Sequence, residues 1–333
     1  MYETVADVGE RGLIARITTR LGLPPWVLVG PGDDAAVIAT PRGRLQVLTT
    51  DAVVDGVHFD LRYAPPDAVG HRALAVNLSD LAAMGAEPHA ALMSLVLPDA
   101  LPVTTLDGIA DGFLALAEKH RVTVIGGNVT RTPGPLTIDV TAVGSVRPRR
   151  ILTRSGARPG DEVFVTGWIG DAALGLRMLR DGVAGGPAQR ERYLRPEPRV
   201  RAGLLLGRNR AATSCIDLSD GLADGLRQIA DASGVGITIE AGEVPLTDEV
   251  RAWHGARAEA PLDAALATGD DYELLFTCRS SYKGRLRGVR GQLGDLPITR
   301  IGVVTRNREL RIREAGISRD LPLGFEHFRS RYG

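Results

Sequence analysis

Ala73-Leu74-Ala75-Val76-Asn77-Leu78-Ser79-Asp80-Leu81-Ala82-Ala83-Met84-Gly85-Ala86 is the most informative stretch of this sequence. It closes a longer segment, residues 65–86, in which Val69, Leu74, Leu78 and Leu81 recur at helical spacing behind Pro66. Short runs rich in Val and Leu surround it, at residues 26–30, 45–49 and 90–97, and these read as strands. Downstream, residues 106–120 predict a second helix. Residues 122–125 predict a strand that ends in the turn Gly126-Gly127, and residues 136–146 a long strand.

The alternation starts again after Arg150. Residues 162–166, 213–218, 235–240, 272–278 and 299–304 read as strands, and residues 170–180, 197–206 and 219–232 as helices, with Ser219 capping the last. Residues 182–188 form a Gly-rich, mobile loop, and no internal repeat is visible. The expected fold is α/β (α+β) in two domains, residues 1–150 and 151–333, which suits a chain of 333 residues.

Hydrophobic residues make up 44% and aromatics 5%, so the core must be built from Ala, Val, Leu and Ile. Forty basic and forty acidic residues leave no net charge, which argues against nucleic acid or an anionic membrane as partner. The short run Arg147-Pro148-Arg149-Arg150 reads as a solvated linker. Cys215 and Cys278 both sit in apolar runs and are expected as small buried hydrophobes, with no disulfide framework or zinc cluster. Met1-Tyr2-Glu3-Thr4 has no signal pattern, and no apolar run approaches the ~20 residues that span a membrane, so the expected location is the cytoplasm. Lys119 and Lys283 are the only lysines, and neither stands in a Gly-x-x-x-x-Gly-Lys loop or a protein-kinase signature. Any ATP chemistry takes another route.

That route is suggested by aspartates set beside small residues, each expected at a strand end or in a loop. They are Gly32-Asp33-Asp34-Ala35, Thr49-Thr50-Asp51, Ser79-Asp80, Asp217-Leu218-Ser219-Asp220-Gly221 and Gly269-Asp270-Asp271-Tyr272-Glu273. A carboxylate interrupting an apolar run needs a pair or a metal. Taken singly, Asp33-Asp34 reads equally as a turn, and Ser219-Asp220 as a helix cap favoured by the dipole. Five such sets in one chain favour a shared site. Hard oxygen ligands without clustered His or Cys select Mg²⁺, which binds through a few carboxylates, waters and substrate phosphates. Near Asn128, the Gly126-Gly127 backbone is either a phosphate-binding turn or an ordinary one. Arg154, in Thr153-Arg154-Ser155-Gly156, is either a phosphate clamp or a surface residue.

In this order, joined by Gly56-Val57-His58-Phe59, Leu152-Thr153-Arg154-Ser155-Gly156-Ala157, Glu273-Leu274-Leu275-Phe276-Thr277 and Gly324-Phe325-Glu326-His327-Phe328, the motifs resemble the thiamine-monophosphate kinases, of the aminoimidazole-ribonucleotide synthetase superfamily. The resemblance spans nearly the whole chain, and the block from Ala75 to Ala86 is its most specific part. It implies a homodimer whose N-terminal sheets join into a barrel, with a C-terminal domain closing over ATP. It also implies transfer of the γ-phosphate of ATP to thiamine monophosphate with several Mg²⁺ ions. Carried over residue by residue, Asp34, Thr49, Thr50, Asp51, Asp80, Asp217 and Asp220 match metal positions. Gly127, Arg154 and Ser219 match ATP positions, and His58, Asp270 and Phe325 match substrate positions. The resemblance supplies no catalytic base.

Two residues depart from the family pattern. Asn128 stands where the family has Asp in the metal and nucleotide set, and Asp270 stands where it has Glu. Asn128 motivates a competing reading, a protein that binds nucleotide or thiamine phosphate without turnover or acts on another small acceptor. The selenophosphate-forming branch needs a Cys near the N-terminus, but the first here is Cys215. The hydrogenase-maturation branch needs a C-terminal Cys, and this chain ends Arg331-Tyr332-Gly333.

Overall fold

In chain order the first elements are α1 (Val5–Thr18), β1 (Val27–Val29), β2 (Val37–Ile38), β3 (Leu45–Val54), α2 (Pro66–Ala83), β4 (Glu87–Pro98), α3 (Val103–His120), β5 (Thr123–Thr132) and β6 (Thr137–Val146). A 3₁₀ turn, Pro148–Arg150, stands in the expected linker. Then come β7 (Glu162–Thr166), α4 (Asp171–Arg180), α5 (Pro187–Leu194), α6 (Val200–Asn209), β8 (Ser214–Asp217), α7 (Leu222–Ser233) and β9 (Gly236–Glu240). The last elements among the described residues are α8 (Asp248–Gly255), α9 (Pro261–Ala267), β10 (Leu274–Cys278), α10 (Lys283–Leu293), β11 (Ile298–Thr305), β12 (Leu310–Glu314) and β13 (Ile317–Asp320). This computed structural model describes residues 3–31, 36–322 and 324.

Two compact units result, one of residues 1–81 and 86–148, the other of residues 82–85 and 149–333. The first holds a four-stranded sheet in the order β3-β6-β4-β5, in which β4 and β5 run parallel and the other neighbours antiparallel. Alternate residues of its middle strands, Ala91, Met93, Leu95, Ile138, Val140 and Ala142, are buried, as are Leu74, Leu78, Leu81, Ile109, Phe113 and Leu116 of α2 and α3. One face of the sheet is therefore core. The second unit holds a mixed sheet in the order β13-β12-β9-β11-β7-β10-β8, and its core draws on β7, β9 and β10 together with α7. The fold class is thus a two-domain α/β fold with mixed sheets, and each sheet is open among the described residues. No helix among the described residues is long and apolar enough to cross a membrane. Both cysteines are free and buried.

Several local expectations change. Helix α2 is buried on more sides than one stripe suggests: Ala68, Ala73, Ala75, Val76, Asn77 and Ser79 are covered as well, because small side chains let neighbours approach all round. Gly126-Gly127 is not a turn. Strand β5 runs through it, with a bulge where Val124 and Gly126 pair with the consecutive residues Ala91 and Leu92. Helix α6 starts at Val200 and not at residue 197, since Pro198 disfavours helical backbone before it. Pro187 takes the first turn of α5, inside the expected loop.

Candidate active site

In the first unit the acidic residues gather at β3 and α2. Strand β3 continues to Val54, so Thr49, Thr50 and Asp51 are interior to a strand and not at its end, while Asp80 is interior to a helix. The first correction has a plain cause: β3 pairs with β6 over its full ten residues, from Leu45↔Val146 to Val54↔Thr137. The Thr49 hydroxyl donates to Asp80 Oδ2, which ties the strand to the helix. Thr50 also contacts the neighbouring strand. Its Oγ1 lies 3.2 Å from the Val140 carbonyl and 3.3 Å from both Asp139 Oδ1 and Thr141 Oγ1, so its hydroxyl serves the sheet.

His58 sits in the tight turn that follows β3. Its Nδ1 accepts the Val54 N–H at 3.1 Å, so the neutral ring carries its proton on Nε2. The register sets a row Asp51–Val140–Met93–Gly127 across the four strands. Gly127 is required there: a Cβ would stand 2.0 Å from the Met93 carbonyl oxygen. Asn128 belongs to the next row, paired with Ser94 and then Asp139. Asp51 and Asn128 therefore occupy opposite edges of one sheet, and the chain does not bring them together.

In the second unit Asp217, Ser219, Asp220 and Asp270 do come together. Two loops at the ends of β8 and β10 zip backbone to backbone: Leu218 N–H donates to Glu273 at 2.9 Å, Tyr272 N–H to Leu218 at 2.9 Å, and Asp270 N–H to Ser219 at 2.8 Å. Gly221 and Gly269 permit this approach, since a Cβ on either would lie 2.1 Å from the carbonyl oxygen of Thr268 or Ser219. Asp217 is buried at the end of β8, and Ser219 is exposed. Ser219 does not cap α7. Gly221 is the cap residue and has no side chain with which to make a cap bond, while the Ser219 carbonyl takes the Asp270 N–H in the zipped loop.

Arg154 is attached to the same unit by α7. Its Nη1 donates to Gln228 Oε1 midway along the helix, and Gln228 donates to Asp224 one turn earlier. Ser233 Oγ fixes the loop backbone, accepting from the N–H groups of Gly156 and Ala157, each at 3.2 Å. Asp34 and Phe325 lie outside the described residues.

Sequence reasoning missed the network behind the Asp270 loop. Glu273 is fully buried and accepts from Arg199 Nε and Thr166 Oγ1, each at 2.7 Å, and from Arg199 Nη2 and Arg192 Nη2. Burial alone would raise this carboxyl; the Arg199 charge and hydrogen bond, then Arg192 and Thr166, outweigh it and hold it below the usual range. Asp271 has the opposite fate. Burial pushes it well above the ordinary carboxylate range, partly offset by the Gly170 N–H at 3.0 and 3.1 Å from its two oxygens. A buried acid in an apolar run signals that partners exist, but Arg192 and Arg199 lie more than seventy residues upstream in an arginine-rich chain.

The donor set suits Mg²⁺. All candidates are oxygen ligands, and among the described residues no three His, Cys, Asp or Glu side chains converge as a ready-made metal cage. Mg²⁺ fits that pattern because it keeps waters and substrate phosphates in its shell.

Two family models match: AIR synthase related protein, N-terminal domain, over residues 32–146, and its C-terminal domain over residues 158–314. The chain is 39% identical over 307 residues to the thiamine-monophosphate kinase of Escherichia coli strain K12, covering 90% of this chain and 92% of that one. Among solved structures it is similar to the thiamine-monophosphate kinase from Stenotrophomonas maltophilia K279a, with TM-score 0.81 and 38% identity over 90% of this chain and 95% of that one. It is also similar to AaThiL complexed with AMPPCP and TMP, with TM-score 0.76 and 33% identity over 97% and 98%. By these matches the chain belongs to the thiamine-monophosphate kinase family.

Proposed function

We propose that this protein transfers the γ-phosphate of ATP to thiamine monophosphate, giving thiamine diphosphate and ADP. Family membership over nine-tenths of the chain is the observation that carries the reading. The oxygen donors of both units are consistent with it. The Thr49–Asp80 pair with Asp51, and separately Asp217 with Asp220, would hold Mg²⁺. Bound there, the ion would neutralise phosphate charge as the γ-phosphoryl group moves.

The remaining work falls to side chains. The acceptor is itself a phosphate, whose oxygen is already nucleophilic at neutral pH, so no general base is assigned. Repulsion between two anions is the obstacle, and Arg154 offers a fork of donors against it. Ser219 and the Gly127 backbone are further nucleotide contacts. His58 would contact the substrate phosphate. Asp270 and Phe325 suit the thiazolium cation, one through charge and the other through its ring face.

The functional unit is a homodimer. Strands β3 and β5 are the two open edges of their sheet, and three strand spacings of ~4.8 Å separate them by roughly 14 Å. No single ion reaches both Asp51 and Asn128 across that gap. A second copy laying its β5 along β3 would bring its Asn128 beside Asp51 and close two open sheets into one barrel. ATP as co-substrate and two buried free thiols suit a cytoplasmic enzyme.

Asn128 favours one second reading, a protein that binds without turnover, because a neutral amide is a weaker metal ligand than a carboxylate. One assay separates the two. Purified protein is incubated with Mg-ATP and thiamine monophosphate, with free thiamine as control, and products are resolved by chromatography. Equal thiamine diphosphate and ADP, formed only from the monophosphate, is the expected result. Folded, ATP-binding protein that yields no product would sink the kinase reading, and activity gained on Asn128→Asp would then establish the second.

A further inference from the structure

Arg149 and Arg150 line a cavity of about 290 Å³ in the second unit. Around it also stand Arg210 at the end of α6, Arg279 after β10, and Arg285 and Tyr282 at and before the start of α10. None of these five arginines has an ion pair with a carboxylate among the described residues. Their contacts are to neutral groups. Arg285 Nη1 donates to the Arg210 carbonyl at 3.1 Å and its guanidinium lies 4.1 Å from the Tyr282 ring centre, while Arg279 Nη1 reaches the Tyr282 hydroxyl at 3.4 Å.

The acids nearby are already committed. Asp161, joined to the lining through Thr213, is buried, and its Oδ2 takes the Thr213 hydroxyl at 2.8 Å and the Arg158 N–H at 3.0 Å. Glu162 is held by Lys283 at 3.2 Å and Arg300 at 3.0 Å. Five like charges around one hollow repel one another. The carbonyls at the end of α6 supply about half a negative charge, enough to attract one guanidinium but not to balance five.

We infer that this cavity binds a multiply charged phosphate anion of about diphosphate size. Guanidinium forks match phosphate oxygens in pairs, and arginine is the residue suited to that geometry. The volume sits at the lower end of the roughly 300–1,000 Å³ range of small-molecule pockets, which fits a diphosphate group better than a whole nucleotide. This is a second site, separate from the acidic loops. Strands β8 and β10 are antiparallel, with Ser214 paired to Thr277 and Asp217 to Leu274. The arginines stand at the Ser214 end and the acidic loops at the Asp217 end, about 10 Å along the strand.

Calorimetric titration of the full chain in excess chelator tests this, with sodium pyrophosphate as the probe and orthophosphate beside it. Without metal, the carboxylates of the acidic loops repel the anion, so heat reports on the arginines. One pyrophosphate per chain is expected, bound at least about tenfold more tightly than orthophosphate and weakened in about 0.5 M salt. Arg149→Glu and Arg210→Gln, both exposed and free of side-chain hydrogen bonds among the described residues, should each weaken it about tenfold or more. Kinase turnover should stay unchanged in Arg149→Glu, which also reports that the variant is folded. Absence of pyrophosphate binding by the unaltered protein would overturn the inference. So would affinity lost in Arg154→Gln but kept in Arg149→Glu and Arg210→Gln, because the anion would then lie with the nucleotide.

Discussion

Glu273→Gln should cost this protein about 3 kcal/mol of stability, near the lower end of what breaking a buried pair from one side costs. The substitution keeps the size of the side chain and changes two things. It removes the charge that two arginines share, and it turns one acceptor oxygen into an NH₂ group facing donors. All four contacts at Glu273 are donors, from Arg199 twice, Arg192 and Thr166, so the amide can satisfy only part of them. The Arg192 side chain is 25% exposed and recovers water; Arg199, at 13%, does not. That difference places the estimate at the low end of the range.

Urea unfolding at pH 7, followed by tryptophan fluorescence, measures the loss as a shift in midpoint at constant slope. Of the three tryptophans, Trp168 lies one residue from Gly167, where a Cβ would stand 2.0 Å from Glu273 Oε1, so part of the signal reports on this region. The sign of the pH dependence follows from the lowered carboxyl. Its contribution is complete above the unfolded value of about 4.3 and is lost as pH falls through the lower folded value. The stability gap between Glu273→Gln and the unaltered protein should therefore close below about pH 4. A gap under ~1 kcal/mol at pH 7, or one that widens in acid, would refute the account of Glu273 as a charge held by Arg199 and Arg192.

Gly127→Ala should abolish most activity and lower the melting temperature, since the added Cβ meets Met93 backbone on a neighbouring strand that cannot move aside; wild-type melting and turnover would contradict that. If Asp51 and Asn128 meet only across two copies, the inactive variants Asp51→Asn and Asn128→Ala should regain activity when unfolded and refolded together, because one mixed site carries both native residues. No recovery in verified mixed dimers would count against the shared site. The thiols should resist a thiol reagent at pH 8 in the native state and both react in denaturant. Burial, then the charges of Glu162 and Asp161, pushes Cys278 up to about 11, and burial with the Asp217 charge pushes Cys215 higher still.

Much of the fold was legible because its signals are local. The apolar repeat of α2, the Leu-rich run of β4 and the Val-rich runs of β6 and β7 identify those elements from their own residues. Helix α1 escaped because only Val5 and Leu13 are buried in it and Gly9 breaks it at φ 72°, so it shows no apolar stripe despite a complete Thr4–Asp7 capping box. Glycine pairs misled in β5 for a related reason. Gly126-Gly127 is the usual sign of a turn, yet here the missing side chain lets two strands approach, and that need is written in Met93 on another strand. Thr50 is a metal candidate by its motif, and only the register shows that its hydroxyl also reaches Val140 and Asp139.

The segment Asp270-Asp271-Tyr272-Glu273 shows why the site is harder to read than the fold. Three acids within four residues meet three different environments. Glu273 is sealed in and neutralised by arginines; Asp271 is sealed in with the Gly170 N–H group and driven toward its protonated form; Asp270 is half-buried on a backbone turned to φ 69°. That turned backbone is possible because Ser219 and Leu218 on the facing loop take the N–H groups of Asp270 and Tyr272. The two buried acids hold protein partners, so neither is placed to serve a ligand. A sequence states how many carboxylates a loop has, but distant residues such as Arg199, Arg192 and Gly170 set the environment each one meets.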